Sequence, residues 1–163
     1  MNLSPVEAAL ADPTLSAEEL ENLKLVLKFR ALPFAERKNY TVPGFAPKRI
    51  GMANLAELDQ SGVPGYGAES VPDRRDDILD IIVRGGRVWA TWLIRGTHAG
   101  NIYGLPATGL PLEVLELGQW EVENGLITSA WFFVDELGLV RQTGQLSAVA
   151  AAATESTDST AKD

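Results

Sequence analysis

Apolar residues in the second half of the chain recur at every other position, the period of a β-strand whose faces meet different surroundings. Ile78–Val83, Arg87–Arg95, Leu112–Val122 and Leu126–Val134 read as strands on this pattern. Gly85-Gly86 joins the first pair, and Glu123-Asn124-Gly125 is a hairpin signal between the last pair. The first third follows a helical period instead. Ser4-Pro5-Val6-Glu7 combines a capping serine, a proline suited to the first helical position and a glutamate three residues after the cap. Ser16-Ala17-Glu18-Glu19 repeats the capping pattern, and Leu20, Leu23, Leu27 and Ala31 then fall on one helical face. Phe34 to Tyr40 reads as a further short helix, and Met52 to Leu58 as another. Gln60 to Ala68 is rich in glycine and reads as a surface loop of the kind that covers or binds ligands. Helices followed by an antiparallel meander predict an α+β fold.

Residues 1–146 are expected to form one such domain, since 163 residues suit a single core. From residue 147 the chain is rich in Ala, Ser and Thr with an acidic balance, and 147–163 are expected to be a disordered tail. The net charge of −8 disfavours nucleic acid and anionic membranes as partners, because phosphates are bound by clustered Lys and Arg. No cysteine is present, which excludes disulfides, thiolate nucleophiles and Cys-ligated metals. The N-terminus has no basic segment followed by an apolar run, and no apolar stretch approaches a membrane span, so a cytoplasmic protein is expected.

Candidate chemistry concentrates on the strands. In the last one, Trp131, Phe133 and Asp135 share a face, and Phe132 and Val134 share the other. A carboxylate among aromatic rings has a poorly solvated charge, as a general acid or base working near neutrality requires. Asp135 also stands directly before a helical segment, Glu136 to Gln142, where an aspartate caps the exposed amides. Both roles are open, and they are compatible. His98, the only histidine, extends the alternation Val88, Ala90, Trp92, Ile94, Gly96 and is a candidate partner for a carboxylate. A single imidazole cannot build a multi-histidine metal site. Trp92, Trp120 and Trp131 are expected to line one concave face, with Phe133 and Tyr103 completing a substrate-binding wall. Asp80, Glu116 and Arg95 are the further groups that water addition to an epoxide would call on. Glycine-rich phosphate loops, dinucleotide fingerprints and Gly-x-Ser-x-Gly elbows do not occur, which leaves phosphoryl transfer, hydride transfer and serine hydrolysis without support.

The run from Gly85 to Gly144 resembles the SnoaL-like polyketide cyclase family. It carries Gly-Gly-Arg-Val, Gly-Thr-His-x-Gly, Gly-x-Pro-x-Thr-Gly, an Asn-Gly hairpin and Trp-x-x-x-Asp in the family's order. The resemblance implies a cone-shaped barrel in which a curved antiparallel sheet wraps around N-terminal helices and encloses an apolar pocket. It places the chain in the superfamily of nuclear-transport-factor-like and ketosteroid-isomerase-like proteins, commonly homodimers. It implies an enzyme of the cyclase, isomerase or lyase type that uses neither cofactor nor metal on an apolar carbonyl compound. Asp135, the aspartate of Trp-x-x-x-Asp, is then the acid/base. Relatives of this fold also open epoxides with water or have no known activity, so epoxide hydrolysis and non-catalytic binding of a small molecule are the alternatives. Departures from the family pattern at Gly86, at Ser129-Ala130 before Trp131 and at Glu121 leave the substrate open.

Overall fold

Two serines start the first two helices as the capping pattern predicts. In the computed structural model, which describes residues 3–50, 55, 67 and 69–147, α1 spans Pro5–Leu10 and α2 spans Ala17–Ala31. Ser4 and Ser16 each accept the backbone N–H three residues on, and Glu7 and Glu19 reach back to the capping residues. A short α3 (Phe34–Arg37) runs into a 3₁₀ turn at Lys38–Tyr40. The sheet follows: β1 (Lys48–Arg49), β2 (Arg75–Arg84), β3 (Arg87–Thr97), β4 (Pro111–Glu123) and β5 (Leu126–Val134), with α4 (Glu136–Gln142) after it. The expected helix at Met52–Leu58, the loop at Gln60–Ala68 and the tail at 147–163 lie almost wholly outside the described residues.

The strand order is β1-β5-β4-β3-β2, so the four long strands form the expected meander and the sheet is open at β1 and β2. Its tight turns are those of the pattern: Asn124 and Gly125 both take positive φ, the conformation a two-residue connection between twisted strands demands. β1 was not legible in advance. It adds in parallel to β5, with Lys48 opposite Trp131 and Arg49 opposite Phe132.

Contacts divide the chain into two compact units. The first comprises Met1–Ile50, Ile78–Trp92 and Glu116–Phe133. Its core is made by Leu23, Val26 and Phe29 of α2 with Ile81, Val88, Trp92, Trp120 and Ile127 of the strands. The buried stripe of α2 differs from the expected Leu20-Leu23-Leu27-Ala31 line, running instead through Glu19, Asn22, Leu23, Val26 and Phe29. Two polar residues are buried there because both are satisfied by one turn: the Gly85 N–H donates to Glu19 Oε1 at 2.8 Å, and Asn22 Nδ2 donates to the Gly85 carbonyl at 3.2 Å. The helix is thereby latched to the β2–β3 hairpin.

The second unit comprises Gly51–Asp77, Leu93–Leu115 and Val134–Asp163. Its core includes Val71, Ile94, Ile102, Val114, Leu139 and Val140. Here the segment before β2 runs hard against the loop after β3: Ala99 and Gly100 donate to the Ser70 carbonyl at 3.0 and 3.1 Å. A Cβ at Gly100 would meet the Glu69 carbonyl oxygen at 2.3 Å, which explains the second glycine of Gly-Thr-His-x-Gly as a place where backbone crosses backbone.

Candidate functional site

Within the first unit, one face of β4 carries Glu116, Gly118, Trp120 and Val122, all buried. Trp92 of β3 and Phe132 of β5 pack over the same face. The ring centroids of Trp92 and Trp120 are 5.9 Å apart, and Phe132 stands edge-on to them at 6.1 and 5.4 Å. Such contacts contribute ~0.5–1.5 kcal/mol each beyond area burial. Gly118 makes this packing possible: a Cβ there would lie 2.6 Å from Phe132 Cδ1 and 3.1 Å from Trp92. The Arg30 guanidinium of α2 stacks 3.5 Å above the Trp92 ring and 5.4 Å from that of Trp120, a cation–π arrangement.

Glu116 is the charged member of this face, 6% exposed. Arg49 Nη1 donates to its Oε1 at 3.1 Å. Arg49 is in position because β1 pairs with β5 at Phe132. A buried carboxylate without a partner is costly, and the guanidinium offsets that cost while holding the carboxylate's orientation. Phe132 also forms a wall of a cleft of about 280 Å³ in the same unit, lined by Phe29, Phe45 and Pro47 with Arg37 and Lys38. Phe29 and Phe45 meet edge-to-face at 6.2 Å. Arg37 is fixed by donating to the carbonyls of Leu32 and Arg30 at 3.0 and 2.9 Å.

The residues singled out from sequence are distributed differently. Trp92 and Trp120 lie together as expected. Trp131 lies on the opposite face of the sheet, half-buried, edge-on to Trp89 at 5.1 Å and donating from Nε1 to Gln119 Oε1 at 3.1 Å. Phe133 is on that outer face too, 46% exposed. The alternation along β5 was read correctly. Which of its faces meets the Trp92–Trp120 pair is settled by Phe132.

Four of the other candidates, Asp135, His98, Tyr103 and Arg95, belong to the second unit. Asp135 is exposed and caps α4, accepting the Gly138 N–H at 2.9 Å, while its own N–H donates to Leu115. His98 is wholly buried. Its Nδ1 lies 3.1 Å from the Thr108 hydroxyl, and its pKa is pushed down by burial, so the imidazole is held neutral. His98 and Asp135 share no hydrogen bond; each has its own partner. Tyr103 is half-buried at positive φ in the tight turn between Ile102 and Leu105. Arg95 bridges Asp77 at 3.0 Å and Glu113 at 2.9 Å. Arg95 and Glu113, with Asp73, Arg75 and Gln142, border a polar cleft of about 460 Å³ in the second unit. Asp80, in the first unit, is exposed. Glu116, one of the groups that epoxide opening would call on, is the buried carboxylate on the face of β4 that carries Trp120. The signal for it was the unbroken even-numbered alternation of β4, in which a lone acid replaces an apolar residue.

Among the described residues no cluster of three or more His, Asp or Glu side chains is suited to hold a metal ion, and no helix is long and apolar enough to cross a membrane.

Comparison with known proteins agrees with this architecture. The family model of the SnoaL-like polyketide cyclases matches residues 68–143. No curated protein matches the chain. Among solved structures, a protein described as a SnoaL-like polyketide cyclase from Jannaschia sp. CCS1 superposes with a TM-score of 0.66 at 17% identity, covering 81% of this chain and 97% of its own. AclR from Streptomyces galilaeus, assigned as a hydroxylase, gives 0.63 at 18% identity over 78% and 87%. A phenazine biosynthesis-related protein from Pseudomonas aeruginosa gives 0.60 at 15% over 86% and 92%. At these identities the structures establish the fold, and a fold does not by itself fix a reaction. The chain thus matches the SnoaL-like polyketide cyclase model over residues 68–143 and shares its fold with solved structures so described.

Proposed function

We propose that this chain binds an apolar, carbonyl-bearing small molecule at the aromatic face of its first unit and moves a proton on it without a cofactor. The observation that carries this reading is Glu116: a buried carboxylate on the same strand face as Trp120. In this role Glu116 removes a proton from the carbon next to the carbonyl. Arg49 holds the carboxylate in one orientation. The resulting enolate is then reprotonated elsewhere, an isomerisation, or attacks a second carbonyl in the same molecule, an aldol-type closure. A positioned acid/base group supplies ~10²–10⁴-fold of such a rate. Asp135, whose carboxylate caps α4, is the other candidate for this step.

The test is uptake of solvent deuterium at the α-carbon of a panel of aromatic and steroid-like ketones, followed by NMR. Glu116→Gln is expected to lose ~10²–10⁴-fold of the exchange, and Asp135→Asn to keep it. The reverse outcome would assign the proton to Asp135. The Arg49 pairing favours one second reading, a binding pocket in which Glu116 is structural. Ketone binding with no exchange in the wild-type protein would select it.

A further inference from the structure

Two buried hydrogen-bond donors in the first unit have no acceptor among the described residues. Trp92 and Trp120 are each 1% exposed, and the Nε1–H of neither meets a partner among the described residues. The contrast with Trp131 is informative, because that indole is only half-buried and still finds Gln119. An unsatisfied buried donor carries a desolvation cost of ~1–3 kcal/mol, and folded proteins rarely keep two in one cluster. Both here belong to the same ring pair, tilted by 32° with centroids 5.9 Å apart. Arg30 lies over both rings. A positive charge on an indole face draws electron density from the ring and makes its N–H a stronger donor. Phe132, which edges both indoles, is the side chain that this cluster shares with the apolar cleft.

We infer that the Nε1–H groups of Trp92 and Trp120 are the donors that receive an oxygen of the ligand, reached from the cleft past Phe132. This deepens the proposed proton-transfer reading and rests on it for the location of the site. It narrows the ligand to molecules presenting a carbonyl, enolate or phenolate oxygen to the pair. When a proton leaves the neighbouring carbon, negative charge accumulates on that oxygen, where fixed donors in a water-poor site stabilise it most. The two indoles are thus binding and oxyanion-stabilising groups, while Glu116 handles the proton.

The experiment uses 2-acetylnaphthalene as the ketone and 2-ethylnaphthalene as its hydrocarbon counterpart. Indole resonances are followed in ¹H–¹⁵N spectra of the ¹⁵N-labelled full chain. The chain has four tryptophans, so four signals are expected. Trp89→Phe and Trp131→Phe, both on the outer face, identify two of them without disturbing the core, and the other two follow by elimination. The ketone is expected to move the Trp92 and Trp120 indole protons downfield and the hydrocarbon to leave them in place. The ketone should also bind about tenfold tighter, as one or two hydrogen bonds provide. Equal shifts with both compounds, no shift on ketone binding, or no binding of either would overturn the inference. The two claims separate cleanly. Glu116→Gln should retain the ketone-specific shift while losing deuterium exchange, so exchange without the shift sinks only the indole assignment, and the shift without exchange sinks only the Glu116 role.

Discussion

At the scale of single residues, Glu19 shows how one side chain does local and tertiary work together. Its carboxylate accepts the Gly85 N–H from the β2–β3 turn, and then the backbone N–H and hydroxyl of Ser16 at the helix start, and these bonds hold its pKa at about 2 against an ordinary 4.5. A carboxylate depressed in the folded state stabilises the fold fully above its unfolded pKa and loses that contribution as pH falls toward the folded value. Stability is therefore expected to drop between pH 4.5 and about 2 in part through Glu19. Glu19→Gln should lower the melting temperature by several degrees near neutrality and flatten its decline across that window. Thermal melts over a pH series make the comparison, and parallel slopes for the two proteins would show that the Gly85 contact contributes nothing. The capping half of this arrangement is written in Ser16-Ala17-Glu18-Glu19. The Gly85 half is not, because it joins residues 66 positions apart. Glu116 follows the same logic. Its face is legible from the alternation of β4, but its partner Arg49 is 67 positions away on a strand of two residues.

At the scale of elements, β5 and α4 meet at Asp135. Val134 at the end of the strand and Leu139 and Val140 of the helix are buried, while the aspartate between them is exposed and caps the helix. Substituting an N-cap aspartate by alanine typically costs ~1 kcal/mol. Asp135→Ala is expected to lose about that much stability, while Asp135→Ser, whose hydroxyl can take the same Gly138 N–H, recovers most of it. Urea denaturation of the three proteins reads this directly. A loss confined to ligand-dependent behaviour, with the urea midpoint unmoved, would speak against a capping role. The long strands themselves were the most legible elements. Leu126–Val134 falls on the predicted residues, and β2, β3 and β4 extend their predicted runs by one to three residues at the ends. Period-two alternation survives in any antiparallel sheet with two unlike faces, whatever the rest of the fold. β1 has too few residues to show a period, and the buried stripe of α2 was misread because polar residues that find partners can lie inward.

At the scale of the whole molecule, the outer sheet face poses the remaining question. Trp89 is 39% exposed and Phe133 46%, with Trp131 wedged against Trp89. Phe133 is the second exposed aromatic residue of that face. We propose that a second copy of the chain covers this face, since grouped exposed aromatics on a soluble protein mark interaction surfaces. Sedimentation at micromolar concentration is expected to give twice the chain mass, and Trp89→Ser with Phe133→Ser to halve it. A wild-type monomer under those conditions refutes the proposal.

What the sequence determined by itself is the part that depends on neighbours in the chain: the two capped helices, the four long strands, their two-residue turns, the cap at Asp135 and the family signature from Gly85 to Gly144. What only the tertiary structure decided is which face of each element is inside. Alternation divides a strand into two sets of residues without saying which set is enclosed, and that choice is made by groups far away in sequence that pack against one set. Through that choice Phe132, Trp92 and Trp120 came to pack together, Trp131 and Phe133 took the opposite face, and Glu116 became a buried carboxylate on the Trp120 face of β4.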